Sequence, residues 1–520
     1  MTFTGTLLPY QPEAVDAMCE RGKMLVAYDL GLGKTVLTIA ALERLMDEGL
    51  ITEPGIIICL SSLKYQWADQ IRKFTDESST PLVIDGTPKQ RLAQYQEAFD
   101  WGHSLVDYVI INYEQVVNDW EYVRQLPTGF IVCDEATAIK SFRSKRSKYV
   151  KKLKSDYKFA LTGTPVENGK PEELYSIMQF VDNGLLGRFD LFDQTFIVRN
   201  RFGGVDRYRN LPLLNKTLSA ACVRKRQTDP DVAPYLPETI FAEPILIQFD
   251  SAGSKLYKSI ANEILVDLEE AVESYGTSFD IFSHYGQANS FDGADALRGK
   301  IMSKLTSLRM LCDHPELLQF SAESSGYVAE LKASGRLDKV TKSPKLSALK
   351  EYVDNFLSEY DGNKVVIFTS YVHMVDIIRD ALVMSWGSTP YTGEMNAKNK
   401  EESKLRFQTD PDVRILVSSD AGGYGVDLPQ ANLLINYDLP WNAGLAVQRN
   451  GRIRRASSTW KSIVIQDFLM EGSIEERQHT MLQQKIAIAN AVVDGEGIDE
   501  KGGVALTAGS LKAFLHNITV

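Results

Sequence analysis

The residue types with the clearest chemistry stand near the start of the chain, in Tyr28-Asp29-Leu30-Gly31-Leu32-Gly33-Lys34-Thr35. An apolar run, Met24–Ala27, precedes this stretch, and Val36-Leu37-Thr38-Ile39-Ala40 follows it with helical character. Strand, glycine loop, Lys-Thr and helix, in that order, are what a phosphate cradle requires. Glycines allow the backbone N–H groups of Gly31, Leu32 and Gly33 to approach phosphate oxygens, and a helix N-terminus adds about half a positive charge. Lys34 is expected to reach the β- and γ-phosphates of ATP, and Thr35 to ligate Mg²⁺. The strict G-x-x-x-x-G-K-[ST] pattern is broken, because Tyr28 occupies its first glycine position.

A second group of reactive types follows. Phe130-Ile131-Val132-Cys133 runs into Asp134-Glu135-Ala136-Thr137. Acids at the C-terminal end of a buried strand lie beside the phosphate loop of an α/β sheet. Asp134 suits outer-shell coordination of Mg²⁺, and Glu135 suits polarising an attacking water. Further on, Leu161-Thr162-Gly163-Thr164-Pro165 leaves another apolar run with small hydroxyl residues able to sense a γ-phosphate.

These groups need a sheet to hold them. Apolar, β-branched runs recur at Met24–Ala27, Ile56–Leu60, Tyr108–Ile111, Phe130–Cys133 and Tyr157–Leu161, with helical patterns at Thr35–Asp47 and Tyr65–Phe74. Strands alternating with helices predict a parallel sheet covered on both faces. The same grammar restarts at Lys364–Phe368, Arg414–Ser418, Leu433–Tyr437 and Ser462–Asp467. Between the two sets, Glu172 to Val232 reads as mixed helical and basic. Leu256, Ile260, Ile264 and Leu268 then keep helical spacing, Tyr275 to Ala294 reads as a mobile loop, and Gly335 to Pro344 as a linker.

Length and composition set outer limits. A chain of 520 residues with 44% hydrophobic content is too long for one ordinary core and implies about two to four domains. No run of about 18 apolar residues predicts a membrane span, and Met1 to Gln11 lacks the pattern of a secretory leader. Five scattered cysteines without C-x-x-C pairs argue against a disulfide framework or a zinc site, so Cys312 and His314 read as packing residues. The net charge of −11 does not suit a polyanion globally. Nine Lys or Arg between Lys140 and Lys158 stand against one acid, Asp156, and a second basic cluster spans Arg199 to Arg226. A local stripe of that kind is sufficient for nucleic acid.

Taken together these blocks resemble helicase superfamily two, in particular its Swi/Snf-type ATPases, over roughly Leu8 to Arg455. Leu8-Pro9-Tyr10-Gln11 is similar to the family's adenine-reading motif, which implies that Gln11 contacts the base. Leu60-Ser61-Ser62-Leu63-Lys64-Tyr65-Gln66-Trp67 and Ile111-Asn112-Tyr113-Glu114 resemble segments that lie along the nucleic-acid backbone, implicating Lys64, Trp67 and Asn112. Asp134 to Thr137 is a DEAH-box variant. Thr162-Gly163-Thr164-Pro165-Val166-Glu167-Asn168 and Leu308-Arg309-Met310-Leu311-Cys312-Asp313-His314-Pro315 also match this group. In the later half, Val365 to Tyr371 resembles motif IV, implicating Ser370 on nucleic acid. Ser419 to Leu428 resembles motif V, implicating Gly425 and Asp427 on the nucleotide. Gln448-Arg449-Asn450-Gly451-Arg452-Ile453-Arg454-Arg455 resembles motif VI. On a helix, Gln448, Arg452 and Arg455 share one face. The resemblance makes the two arginines fingers that complete the ATP site from the opposite lobe.

The expected fold is α/β, two RecA-like parallel-sheet lobes with helical insertions between them. The expected boundaries are 1–170 for the ATP-binding lobe, 171–240 for a helical and basic extension, 241–340 for a helical insertion and linker, 341–485 for the second lobe and 486–520 for a C-terminal tail. Arg455-Ala456-Ser457-Ser458 replaces the family's common Arg-Ile-Gly-Gln ending, which weakens assignment to a chromatin-remodelling subgroup. The expected function is a DNA-stimulated ATPase that translocates on duplex DNA, working as a monomer in the cytoplasm of a bacterial or phage-infected cell, or in a nucleus if the source is eukaryotic. The alternatives are a strand-separating helicase acting on single strands and an ATP-gated DNA-binding switch with little turnover.

Overall fold

The computed structural model describes residues 3–76, 79–99, 106–200, 204–282, 293–321, 326–420, 422, 426–497, 501–502 and 506–519. Most of the loop expected between Tyr275 and Ala294 therefore lies outside the described residues. The chain divides into two compact units. The first comprises Met1–Val198, Arg207–Leu236 and Lys485–Lys501; the second comprises Arg199–Asp206, Pro237–Gln484 and Gly502–Val520.

In the first unit the β-branched runs become strands because burial on both faces rewards continuous apolar sequence. Gly55–Cys59 is buried at every position, and Val106–Asn112 at nearly every one. Seven strands lie in the order Thr80–Val83, Val106–Asn112, Gly55–Cys59, Ile131–Asp134, Lys158–Leu161, Lys23–Tyr28 and Cys222–Lys225, all paired in parallel. The last of these departs from expectation. The stretch read as a helical and basic extension supplies Cys222–Lys225, which aligns Leu25 with Cys222 and Tyr28 with Lys225. Four residues with two cations give no apolar run. Pairing with the phosphate-loop strand makes them a strand, not their own propensity.

The second unit repeats the design with parallel strands in the order Glu238–Phe241, Ser462–Met470, Leu433–Asn436, Val365–Thr369, Val413–Ser419 and Gly387–Tyr391. Its helical part is led by Ser251–Tyr275, whose N-terminus is capped by the Asp250 carboxylate accepting from Gly253 N. Leu256, Ile260, Ile264 and Leu268 are all buried on one face. They share a core with Leu305, Leu308 and Cys312 of Gly293–Asp313, and with Leu511 and Leu515 of Ala508–Thr519. The expected tail is thus divided: Lys485–Lys501 counts with the first unit and Gly502–Val520 with the second.

Charges deep in this core lock its parts. Lys345, at the start of Pro344–Glu359, is fully buried and holds Asp313 Oδ1 at 3.0 Å and Glu475 Oε1 at 2.6 Å. Burial alone depresses the ammonium, but the Glu475 and Asp313 carboxylates outweigh it and keep it charged. The expected linker before it is tied down as well, since Ser343 Oγ donates to Asp313 O and accepts from Leu346 N. Lys345→Met should lower unfolding free energy by about 3–5 kcal/mol, because it leaves two buried carboxylates uncompensated. Urea denaturation of the two proteins at pH 7 measures this.

Candidate nucleotide site

The strand Lys23–Tyr28 hands over to the loop, and the helix Lys34–Asp47 begins at Lys34. Both Gly31 and Gly33 adopt φ of +80°, the left-handed region that side chains avoid. A Cβ at Gly33 would also stand 2.4 Å from Gln11 Nε2 and displace that amide. Gln11 is a brace here. Its Oε1 accepts from Leu8 N at 2.8 Å, and its Nε2 donates to Leu32 O at 3.0 Å. Gln227, which the sequence reading passed over, holds the other side by donating from Nε2 to Leu30 O at 2.7 Å. Lys34 Nζ donates to Tyr28 O at 2.8 Å and to Asp29 O at 3.2 Å, and Thr35 is half-buried one residue into the helix.

Strand order brings the acids to this loop. Lys158–Leu161 lies between the phosphate-loop strand and Ile131–Asp134, so three adjacent strands end side by side. A Cβ at Gly163 would meet the Leu30 side chain at 3.2 Å, which measures how closely the two loops pack. Asp134 is buried, and its Oδ2 accepts from Trp67 Nε1 at 2.8 Å. Burial raises its pKa, while the Trp67 indole, the Lys34 cation and the Glu135 N–H pull it down. Glu135 has φ of +48°, a strained value for a residue with a side chain. Thr164 Oγ1 is buried without a hydrogen-bond partner among the described residues.

The nucleic-acid expectations fare differently. Lys64 and Trp67 are both almost completely buried. Lys64 Nζ is bound to Ile84 O at 2.8 Å and Asp85 Oδ1 at 2.9 Å, so its charge is satisfied inside the first unit. Trp67 serves Asp134. Neither side chain is presented to a nucleic acid in this structure. Lys64 faces inward because it opens the helix Lys64–Phe74 at the point where the helix packs on the sheet. Asn112 is a helix cap, with its carbonyl oxygen accepting from Gln115 N. In the long basic run, Lys140 pairs with Glu167 and Arg146 with Glu114, while Lys151 is drawn in towards Ser176 and Gln179. Arg143, Lys145, Lys148, Lys152 and Lys154 remain exposed. In the cluster between Arg199 and Arg226, the last three cations, Arg224, Lys225 and Arg226, are paired internally with Asp29, Asp494, Asp231 and Asp229.

In the second unit the motif VI helix is shorter than expected. Ala443–Asn450 ends before Gly451, so Gln448 lies on it while Arg452 and Arg455 follow in turns, and the shared helical face does not form. The residue that organises this region is Arg449, which the sequence reading left without a role. It is buried and donates to Asp420 Oδ1 at 2.6 Å, Asp438 O at 2.5 Å and Ser370 Oγ at 3.2 Å. Ser370 also donates to Asp438 Oδ1. Arg455 is ion-paired with exposed Asp427 at 2.6 Å, and Gln448 Oε1 and one Arg455 nitrogen are buried without a partner among the described residues. Gly425 lies outside the described residues.

The chain is similar to known proteins along most of its length. Residues 10–317 match the SNF2-related domain, and residues 344–457 the helicase conserved C-terminal domain. The chain belongs to the SNF2-related family. It is 26% identical to the human DNA repair and recombination protein RAD54-like over 91% of this chain and 63% of that protein. It is 25% identical to an uncharacterized ATP-dependent helicase, YqhH, of Bacillus subtilis over 94% of this chain and 80% of that one. The chain spans between a quarter and half of the length of the first three curated relatives it matches. The helicase domain of Pyrococcus furiosus Hef shares the fold, with a TM-score of 0.53, 18% identity, and coverage of 91% of this chain and 97% of its own. A Sulfolobus solfataricus SWI2/SNF2 ATPase core solved with dsDNA is 26% identical, covers 95% of this chain and 94% of its own, and superposes with a TM-score of 0.42.

No helix among the described residues is long and apolar enough to cross a membrane. Trp67→Phe keeps an aromatic ring at this place but removes the indole N–H that donates to Asp134. ATP turnover is expected to fall about tenfold, the usual cost of losing an outer-shell partner, with the thermal unfolding midpoint little changed. Steady-state phosphate release and a melting curve measure both.

Proposed function

We propose that this chain is an ATP hydrolase that moves along duplex DNA. The observation that carries the reading is the meeting of the phosphate loop, Asp134 with Glu135, and the Thr162–Pro165 loop at one edge of one parallel sheet. The residues fit a bound ATP on grounds independent of motif. Two loop glycines are held at positive φ, a Cβ at Gly33 would displace the Gln11 amide, and a buried threonine hydroxyl has no partner among the described residues. The backbone amides of Gly31 to Gly33 and the helix N-terminus at Lys34 would hold the phosphates. Thr35 and Asp134 would hold Mg²⁺, which supplies charge neutralisation at the transferred phosphoryl group. Glu135 accepts the proton of the attacking water. Arg452 and Arg455 are proposed to act on charge that develops only in the transition state.

The DNA part of the reading is supported by relatives whose names place them in DNA repair and recombination or call them helicases. Because Lys64 and Trp67 are turned inward, the exposed cations Arg143, Lys145, Lys148, Lys152 and Lys154 are the better candidates for backbone contact. Contacts of that kind are made to phosphates and tolerate any sequence.

Lys34→Ala should abolish turnover, while Glu135→Gln should still bind ATP and hydrolyse it very slowly. Filter binding of labelled ATP beside a phosphate-release assay separates the two outcomes. Equal loss of binding and hydrolysis in Glu135→Gln would assign that residue a structural part. ATPase rate at saturating DNA mass should rise with duplex length before levelling, because a moving protein spends longer on a longer track. A flat profile from roughly one helical turn upward rejects translocation, and stimulation by single strands alone identifies a strand-separating helicase. Salt must be held constant, since phosphate contacts make affinity salt-dependent.

A further inference from the structure

The end of the helix Ile474–Val493 and the turn after it are seated on the first unit by side chains about 270 residues earlier in the chain. Asn215 Nδ2 donates to Val493 O at 2.8 Å and Val492 O at 3.1 Å, satisfying carbonyls that a helix terminus leaves open. Gly495 turns the chain with φ of +69°, and a Cβ there would stand 2.9 Å from Asn215 Oδ1. Glu496 pairs with Arg226. Between them Asp494, whose side chain is 5% exposed, accepts from Arg224 Nε at 2.6 Å and from a second Arg224 nitrogen at 3.3 Å.

Arg224 does not end there. Its other terminal nitrogen donates to Ala27 O at 2.8 Å and to Asp29 Oδ1. Asp29 belongs to the phosphate loop. Its second carboxylate oxygen accepts from Gln227 N at 2.9 Å, its own N–H donates to Lys225 O at 2.9 Å, and its carbonyl accepts from Lys34 Nζ. A line of charge-assisted hydrogen bonds therefore runs from Asp494 through Arg224 to Asp29 and so to the peptide that meets Lys34. Bonds of this class are roughly twice as strong as neutral ones and hold geometry in two directions when forked. The Arg224 side chain is only 21% exposed, so the two carboxylates offset its partial desolvation.

We propose that Asp494 is a positioning residue for ATP turnover, acting through Arg224 on Asp29 to hold the phosphate loop in its binding shape. The proposal rests on the reading of that loop as the ATP site. It predicts a loss in ground-state binding, because the loop is shaped before any bond is broken, with the chemical step little affected.

The test compares Asp494→Asn with wild type and with Arg226→Gln, which breaks the Glu496 and Asp229 pairs but removes no side chain bonded to Asp29. Asp494→Asn keeps volume and removes the charge. Its KM for ATP should rise about tenfold, as expected for a lost hydrogen bond between charged groups, with kcat within about twofold and the protein still folded at the assay temperature. Arg226→Gln should keep the wild-type KM. Asp494→Glu should recover part of the lost affinity. A wild-type KM in Asp494→Asn overturns the proposal. So does a fall in kcat that matches the rise in KM together with a lower melting midpoint, since that describes a structural residue only. Equilibrium titration of the wild-type protein with a fluorescent ATP analogue keeps the two readings apart, because absent binding there removes the ATP site itself, not the line that braces it.

Discussion

Taking Lys345 out of water is the step on which the second unit depends. The bare cost of burying an ammonium is several kcal/mol even after relaxation. It is met only when Asp313 at the end of the Gly293–Asp313 helix and Glu475 at the start of Ile474–Val493 both arrive. Tyr437, just past the strand Leu433–Asn436, closes the arrangement by donating its hydroxyl to Asp313 O at 2.7 Å. Apolar contacts alone would let the helical part slide on the sheet, since a hydrophobic face has no preferred register. A cation with two required partners has one solution, and that fixes the helices against the strands carrying the later motifs.

The same logic recurs where the motifs themselves must be held. Arg449 gathers Asp420, Asp438 and Ser370 around one buried guanidinium, and Arg309 adds a donor to Leu439 O at 2.9 Å next to it. Asp438 stays ionised there. Burial works against the charge, but Arg449 and Arg309 together with the Ser370 and Thr369 hydroxyls overcome it and lower its pKa. Each of these cations lies where loops leave the C-terminal ends of parallel strands, the edge at which α/β sheets place their chemistry. Structure and site thus draw on one set of buried charges.

Most of both sheets was legible because central parallel strands need apolar runs such as Gly55–Cys59 and Val413–Ser419. Cys222–Lys225 and Gly387–Tyr391 were not, because edge strands owe their conformation to a neighbour. The phosphate loop was legible from glycine spacing. Gln227 was not, since a lone glutamine nearly 200 residues from Leu30 carries no local pattern. Lys64 and Trp67 show the opposite failure. Their motif was recognisable, but whether a lysine faces solvent depends on the helix it opens and the carbonyl it meets, here Ile84 O. The helix expected to carry Arg452 and Arg455 stops at Asn450, and Asn-Gly at 450–451 offered the turn signal that spacing arithmetic overlooked.

Lys34 shows why the loop needs bracing from outside. Its ammonium is bonded to Tyr28 O and Asp29 O, carbonyls of the very loop it follows. A phosphate that draws Lys34 away exchanges those bonds for charge-assisted ones, and the loop loses an internal tie at the moment it must keep its shape. Gln11 on Leu32 O, Gln227 on Leu30 O and Arg224 on the Asp29 carboxylate do not involve Lys34. They persist through the exchange. A loop built of Gly31 and Gly33 has more backbone freedom to lose than any other sequence. Three side chains anchored outside the loop remove that freedom in advance, so that binding energy is not diverted to ordering the backbone.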